Sequence, residues 1–205
     1  IIHAEGATVW EHVKTVIQQI DSLDVSDEVK KDLRLTMLYH DIGKVEVGSS
    51  AENTARTKKH LEKGELHTSM VGHAEARADE MRAGLTSAGA EGRRLEQLMT
   101  VIKYHMNTSI PEQDPKKTVK LVQSFGETDE ERNEVVNLLA MALYVDGNGT
   151  HHAELKDGEL KITKNEKKLG LTGEVIWHKY QEGLKLIQAE QEAAQKKKEQ
   201  EDFIV

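Results

Sequence analysis

The chain lacks cysteine altogether and holds only two prolines among its 205 residues. Without cysteine it can form neither a disulfide framework nor a cysteine-ligated zinc finger, and it suits a reducing compartment. Aromatic side chains make up 4% of the residues and charged side chains 31%. This balance favours helices over a turn-rich β-sandwich, because sheets are rich in aromatic residues and their turns in proline.

Long apolar runs and an excess of positive charge are missing as well. No stretch approaches the roughly 18 consecutive apolar residues of a membrane-spanning helix, so we expect no membrane association. The net charge of −8 argues against a protein that binds duplex DNA, since neutralising phosphates requires a basic surface. No cationic, hydrophobic signal segment opens the chain, and we expect a cytoplasmic location. The first residue is Ile1 rather than Met, which leaves open whether the chain is a fragment of a longer protein.

Apolar residues recur at helical spacing through most of the chain, which predicts a mostly α fold. Capping boxes formed by Thr8 with Glu11 and by Thr128 with Glu131 mark two helix starts. Gly43 is expected to end a helix in the left-handed conformation. Residues 45–70 lack a clear period and are expected to form a long exposed loop with room for one helical turn. The predicted helices cover residues 9–21, 26–43, 72–82, 95–105, 119–125, 128–146 and 172–202.

One short segment alternates instead of following the helical period. Residues 154–162 alternate around Asp157-Gly158, which is the strongest short signal for a β-hairpin. We therefore expect a single domain over residues 1–205, with a core at 8–149 and a small hairpin at 153–163. A C-terminal helix at 172–202 would follow, and its polar end would project into solvent or fray.

Histidine is abundant, at ten residues, and several histidines lie near predicted helix ends. Neutral imidazole nitrogens and carboxylate oxygens together suit borderline divalent ions such as iron, manganese, nickel, cobalt or zinc. A carboxylate can also bridge two ions, because both of its oxygens offer lone pairs. Helix ends can converge when helices pack, which makes six side chains candidate ligands: His12, His40, Asp41, His73, His105 and Asp146.

The order His … His-Asp … His … His … Asp, over residues 8–149, resembles the HD-domain superfamily of metal-dependent phosphohydrolases. Three segments look most like the HD region that follows bacterial tRNA nucleotidyltransferases and poly(A) polymerases: Thr8-Val9-Trp10-Glu11-His12-Val13, Leu38-Tyr39-His40-Asp41-Ile42-Gly43-Lys44 and Gly72-His73-Ala74-Glu75. The resemblance implies an HD-domain helical bundle with a metal-binding core at 8–149. Arg77 and Ala78 depart from the pattern, since relatives often carry a small Gly-Ala pair there.

The resemblance also implies how the candidate ligands are shared between two divalent ions. The first ion would be held by four side chains, namely His12, His40, Asp41 and Asp146. Asp41 would bridge to the second ion, which His73 and His105 would also bind. The ions would be Fe, Mn, Ni, Co, Zn or Mg.

Asp41 and Lys44 are the catalytic residues that the resemblance implies. A hydroxide bridging the two ions would attack the phosphorus, because coordination lowers the pKa of water. Lys44 would bind the substrate and neutralise a phosphate oxygen as charge develops. A second interpretation of Lys44 stays open, in which it is only a cation favoured by the dipole at a helix C-terminus.

The expected function is a phosphodiesterase or phosphomonoesterase that acts on a small phosphorylated substrate, either a nucleotide, a cyclic phosphate or an RNA end. One alternative is a non-catalytic RNA-binding or dimerising appendage of a tRNA nucleotidyltransferase-like protein. Another is a one-metal hydrolase of nucleoside triphosphates or guanosine alarmones, which would leave His73 and His105 without a role. A homo-oligomer is left open. The other histidines are interpreted as surface or core residues: His3, His60, His67, His151, His152 and His178.

Overall fold

The structure is a computed structural model of the chain and describes residues 9–64, 70–110, 112–149, 151–156, 159–164 and 170–204. Most of this part of the chain is helical. Its elements in chain order are α1 (Val9–Asp21), α2 (Asp27–Tyr39), α3 (Lys44–Val47), α4 (Ala51–Glu62), α5 (Ala78–Ser87), α6 (Gly92–Tyr104), α7 (Pro115–Gln123), α8 (Asp129–Gly149), β1 (His151–Lys156), β2 (Glu159–Lys164) and α9 (Gly173–Ile204). Across the described residues, we find no helix with the length and apolar content needed to cross a membrane.

Helix α8 lies at the centre of the bundle. Its residues from Val135 to Val145 are apolar on nearly all sides, and most of them are buried. Helices α1, α2, α6, α7 and α9 all pack against it. A helix that is apolar on all sides buries its surface only when other helices pack around it. The predicted central position of this helix is confirmed.

Side-chain caps determine where several helices begin. Ser26 accepts a hydrogen bond from the main-chain N–H of Val29 at the start of α2, at 3.3 Å. Ahead of α8, Thr128 Oγ1 accepts from the N–H of Glu131 at 3.2 Å, and the Glu131 carboxylate accepts from the N–H of Thr128 at 3.3 Å. This second capping box is confirmed, whereas the box predicted at Thr8 lies outside the described residues.

The segment after α8 forms two short strands. Strands β1 and β2 pair antiparallel, with His151 opposite Lys164 at one end and Lys156 opposite Glu159 at the other. Residues 157 and 158, at which the sequence predicts the turn, lie outside the described residues.

Helix α9 returns to the bundle and then leaves it. Its first half packs on α7 and α8, where Ile176 and Tyr180 are buried. Residues 188–199 are exposed, as their polar sequence predicted. Since this second half buries no apolar surface among the described residues, the packing of α9 depends on its first turns.

The long exposed loop predicted over residues 45–70 is wrong. The segment contains α3 and the three-turn helix α4, and residues 65–69 lie outside the described part of the chain. Helix α4 is capped by Ser50, which accepts from the N–H of Asn53 at 3.2 Å. Asn53 is the one residue of α4 that is buried, so the helix has no apolar stripe from which its period could be recognised.

The helix predicted from residue 72 to 82 is wrong at both ends. Residues 71–77 form turns, and α5 runs from Ala78 through Gly84 to Ser87. Gly72 and Arg77 have φ angles of +88° and +62°, and two left-handed residues so close together break a helix. Glycine would adopt the conformation of Arg77 without strain, whereas arginine does so only at a cost. Gly84, by contrast, is a packing glycine, since a Cβ there would collide with the ring of Tyr39.

The predicted left-handed helix stop at Gly43 is also wrong. Gly43 has φ −68° and ψ −16°, which is an ordinary right-handed conformation. A Cβ at this position would lie 2.8 Å from the carbonyl oxygen of Ala76 and closer still to that of His73. Glycine is therefore required because the α2–α3 junction packs directly on the main chain of residues 73–76.

Candidate metal centre

The six candidate ligands lie together in one buried cluster, although they come from five separate segments. His12 lies within α1, His40 and Asp41 follow α2, and His73 lies in the turns before α5. His105 follows α6, and Asp146 lies in the last turn of α8. All six are buried. Removing so many polar groups from water is unfavourable unless they bind one another or a common ion.

Asp41 lies at the centre of this cluster, and its two oxygens face different histidines. Its Oδ2 is 3.3 Å from His40 Nε2 and 3.9 Å from His12 Nε2. Its Oδ1 is 3.3 Å from His73 Nε2 and 3.9 Å from His105 Nε2. The carboxylate thus separates the cluster into a His12/His40 half and a His73/His105 half.

Asp146 belongs to the first of these halves. Its Oδ1 lies 3.0 Å from His12 Nε2 and 3.9 Å from His40 Nε2. Ligand atoms of three trios lie within 4.8 Å of one another: His12 with His40 and Asp41, His40 with His105 and Asp146, and Asp41 with His73 and His105. Helix packing therefore brings the sequence-predicted site residues together.

The main chain determines how three of the imidazole rings are oriented. Nδ1 of His40 is 2.7 Å from the carbonyl oxygen of Met37, and His73 and His105 make the same contact with the carbonyls three residues before them, at 2.7 and 2.6 Å. Because a carbonyl oxygen can only accept, Nδ1 carries the proton. In the neutral ring Nε2 then presents its lone pair to the cluster, as the second nitrogen of a metal-binding histidine does.

The contact between His73 and His105 tests whether a cation fits this cluster. Their Nε2 atoms are 3.1 Å apart, and both rings already donate from Nδ1. Two neutral rings would therefore direct lone pairs at each other, which is repulsive. In the other half, the buried Nε2 of His40 makes no hydrogen bond within the described part of the chain. Imidazole nitrogens and carboxylate oxygens in this arrangement are donors that suit divalent cations.

Lys44 lies against the same carboxylate. Its Nζ donates to Asp41 Oδ2 at 2.6 Å, and the side chain is largely buried at the start of α3. The interpretation of Lys44 as a cation held only by a helix dipole is thus incomplete, because the ammonium directly neutralises Asp41. Asp146, the second carboxylate of the cluster, lies beside His12, with its Oδ1 at 3.0 Å from His12 Nε2.

The remaining histidines that the structure describes belong to none of the three trios. His178 is exposed on α9, and His60 lies on α4 outside the three trios. His3 and His67 lie outside the described residues, and so do the side chains of His151 and His152.

Two residues close to the cluster were missed by the sequence analysis. A Cβ on Gly149 would lie 3.3 Å from Cε1 of His12, so the end of α8 packs directly against that ring. The two glycines after Asp146 were a signal for this close approach. Asn53 hydrogen-bonds the main chain beside His73, and nothing in its local sequence marks it.

In a comparison with known protein families, residues 9–146 match the model of the HD domain family. The match begins at the first residue of α1 and ends at Asp146, so it spans all six residues of the cluster. A comparison with curated proteins finds no significant match, and a comparison with solved structures finds none either.

Proposed function

Because the chain belongs to the HD-domain family, whose members are typically metal-dependent phosphohydrolases, we propose that it hydrolyses a phosphate ester at a two-ion centre. The observation that carries this proposal is the position of Asp41. Its two oxygens each face a separate pair of imidazole Nε2 atoms, which is the arrangement expected of a bridging carboxylate.

The residues divide between the ions as the two halves of the cluster do. One ion would be held by His12, His40, Asp41 and Asp146, and the other by Asp41, His73 and His105. Two divalent ions bound there would neutralise phosphate oxygens and lower the pKa of a coordinated water towards neutrality. We propose that both ions are divalent cations from the set Fe, Mn, Ni, Co, Zn and Mg.

The protein's own side chains prepare the centre for this chemistry. Hydrogen bonds from Nδ1 to main-chain carbonyls hold the rings of His40, His73 and His105 with Nε2 directed inward. Such fixed orientation lets the ligands act without reorganising during the reaction. Lys44, at 2.6 Å from Asp41, supplies a positive charge beside the bridging carboxylate, where a substrate phosphate oxygen can share its N–H donors.

The substrate part of the proposal is a nucleotide, a cyclic phosphate or an RNA end. It is supported by the likeness of segments 8–13, 38–44 and 72–75 to the HD region of tRNA nucleotidyltransferases. A one-metal hydrolase of triphosphates is disfavoured, because it would have no use for the inward-facing Nε2 atoms of His73 and His105. A non-catalytic RNA-binding or dimerising appendage is the competing function, and the experiment below distinguishes it.

The test combines metal content with hydrolysis of bis-p-nitrophenyl phosphate. Protein purified without chelator and supplied with Mn²⁺ should contain close to two ions per chain and release p-nitrophenol. Asp41→Asn keeps the shape of the side chain but removes its charge, and should lower the rate at least about 100-fold. His178→Gln, which removes an exposed histidine far along the chain, is the matched control and should behave as the parent.

The other outcomes decide between the alternatives. Undiminished turnover in Asp41→Asn would refute the proposed centre. A parent that binds two ions but hydrolyses no phosphate ester would favour the appendage. A parent that binds one ion would favour the one-metal hydrolase.

A further inference from the structure

Asn53 is an unusual residue of α4 because it is buried in a helix that is otherwise exposed or half-buried. Its side chain is 3% exposed, and it lies in the first turn after the Ser50 cap. An asparagine in a helix is intrinsically unfavourable and is rarely buried without specific hydrogen bonds. Its contacts therefore indicate what it does.

The amide of Asn53 binds the main chain of two different segments. With Val71 it forms a two-point pair, in which Oδ1 accepts from the N–H at 3.0 Å and Nδ2 donates to the carbonyl at 3.1 Å. Nδ2 also donates to the carbonyl of Val47 at 3.0 Å. The three bonds engage the amide oxygen and both N–H donors of Asn53 with the main chain.

Both of these segments lead to Asp41. Val47 ends the short helix that begins with Lys44, whose Nζ binds Asp41 Oδ2. Val71 follows Met70, whose carbonyl accepts from Nδ1 of His73, and His73 Nε2 faces Asp41 Oδ1 at 3.3 Å. One side chain thus connects the two segments that contact opposite oxygens of the central carboxylate.

The segment carrying His73 needs such support more than the other ligand-bearing segments do. Residues 71–77 form turns with left-handed residues at both ends, so no continuous helical ladder holds the His73 ring in place. His12, His40 and Asp146 belong instead to α1, the end of α2 and α8, which pack on one another. A change at Asn53 should therefore affect the His73/His105 half and leave the His12/His40 half in place.

We propose that Asn53 is a positioning residue that holds His73 against Asp41 and so builds the second ion site. The metal-binding part of this inference rests on the proposed two-ion function, whereas the position of the His73 ring does not. Outer-shell partners of metal ligands typically contribute about 10- to 100-fold to metal affinity, and Asn53 should act within that range on the second ion alone.

The test uses the variant Asn53→Asp, which keeps the size of the side chain and the acceptor for Val71 N–H. It replaces the donating Nδ2 by an oxygen that the carbonyls of Val47 and Val71 repel. The matched control is Ser50→Ala, which removes the cap of the same helix but none of the bonds to Val47 or Val71. Calorimetric titration of the metal-free proteins with Mn²⁺ gives the dissociation constants of both ions.

We expect Asn53→Asp to raise the second dissociation constant about 10- to 100-fold. The first should change less than about threefold, because the His12/His40 half keeps its ligands. Ser50→Ala should lower the melting temperature but leave both constants unchanged. Two outcomes would overturn the inference. In one, both Mn²⁺ dissociation constants of Asn53→Asp equal those of the parent. In the other, Asn53→Asp and Ser50→Ala weaken the binding of both ions equally. If Asn53→Asp fails to fold by circular dichroism, Asn53→Ala is judged by the same criteria.

A second readout separates this inference from the proposed function. In the metal-free parent, NMR should show the Nδ1–H of His73 protected from exchange by its bond to Met70, with the signal assigned from His73→Gln. Asn53→Asp should lose this protection while the Nδ1–H of His40 keeps it. If the parent binds no Mn²⁺, the two-ion function fails, and an unchanged His73 signal in Asn53→Asp then overturns the positioning role as well.

Discussion

Replacing Gly43 by alanine tests whether the packing at the α2–α3 junction builds the site. Its backbone is right-handed, and at such positions Gly→Ala ordinarily stabilises a protein by about 0.4–1 kcal/mol. Here the added Cβ would lie 2.8 Å from the Ala76 carbonyl oxygen and closer still to that of His73. Helix propensity and tertiary packing therefore predict effects of opposite sign.

The magnitude follows from how far the neighbours must move. An ordinary contact of a Cβ begins near 3.4 Å, so the Ala76 carbonyl must retreat by about 0.6 Å and that of His73 by more. Both are main-chain atoms that cannot rotate away as a side chain would. Overpacking of this kind costs about 1–3 kcal/mol, and we expect the upper end. For a chain of this length, about 3 kcal/mol lowers the melting temperature by about 6–12 °C.

The assay is thermal unfolding followed by circular dichroism, together with the Mn²⁺ content of the folded protein. Displacing residues 73–76 should also move His73 from Asp41 and reduce the bound ions from two towards one. Gly89→Ala is the control, since φ is +87° there and a Cβ would meet nothing within 4 Å. It should lose about 1–2 kcal/mol through backbone strain but keep both ions. A melting temperature of Gly43→Ala equal to or above that of the parent would refute the argument.

Two further predictions concern Lys44 and the cap of α8. Lys44→Met should lower the rate of phosphodiester hydrolysis about 10²- to 10³-fold while two ions still bind. Steady-state kinetics gives the rate, and elemental analysis gives the metal content. Loss of the ions in this variant would contradict a role of Lys44 towards phosphate. Hydrogen bonds from the N–H groups of Glu127 and Thr128 hold the pKa of the Glu131 carboxyl below its ordinary value. Its contribution to stability is therefore present above the unfolded pKa and is lost as the pH falls through the lowered folded pKa. Glu131→Gln keeps a capping side chain that does not titrate, so urea unfolding between pH 6 and pH 3 should show a smaller loss of stability than in the parent; identical losses would contradict this role.

The parts of the fold that the sequence predicted well are those with a strong local signal. Helix α1 occupies residues 9–21 as its apolar spacing predicted, and α8 begins at its Thr128 capping box. Helix α4 was missed because it buries only Asn53, and burial of an apolar stripe is what creates a visible period. The start of α5 was misplaced because the left-handed φ of Arg77 is not a preference of arginine.

In the candidate site, too, the features with a local sequence signal were predicted and those set by distant contacts were not. The six donor residues and their order could be recognised from the chain, and their binding of metal remains a prediction. Gly43 was predicted to end a helix in the left-handed conformation. Its actual role is to allow close packing on the main chain of His73 and Ala76, which are about thirty residues away in sequence. The asparagine that supports His73 could not be found at all, since its partners Val47 and Val71 are ordinary main-chain groups.

The sequence by itself determined the helices with a strong local signal, such as α1 and α8, and the chemical donors that the chain can offer, because propensity, capping and spacing act between residues a few positions apart. Only the tertiary structure decided that Asp41 turns one oxygen to each pair of histidines and that Lys44 shares that carboxylate. Those relations depend on how helices distant in sequence cross around α8, and crossing is set by side-chain packing over the whole core. A shift of about one ångström at such a crossing leaves every local pattern intact and still separates the ligands.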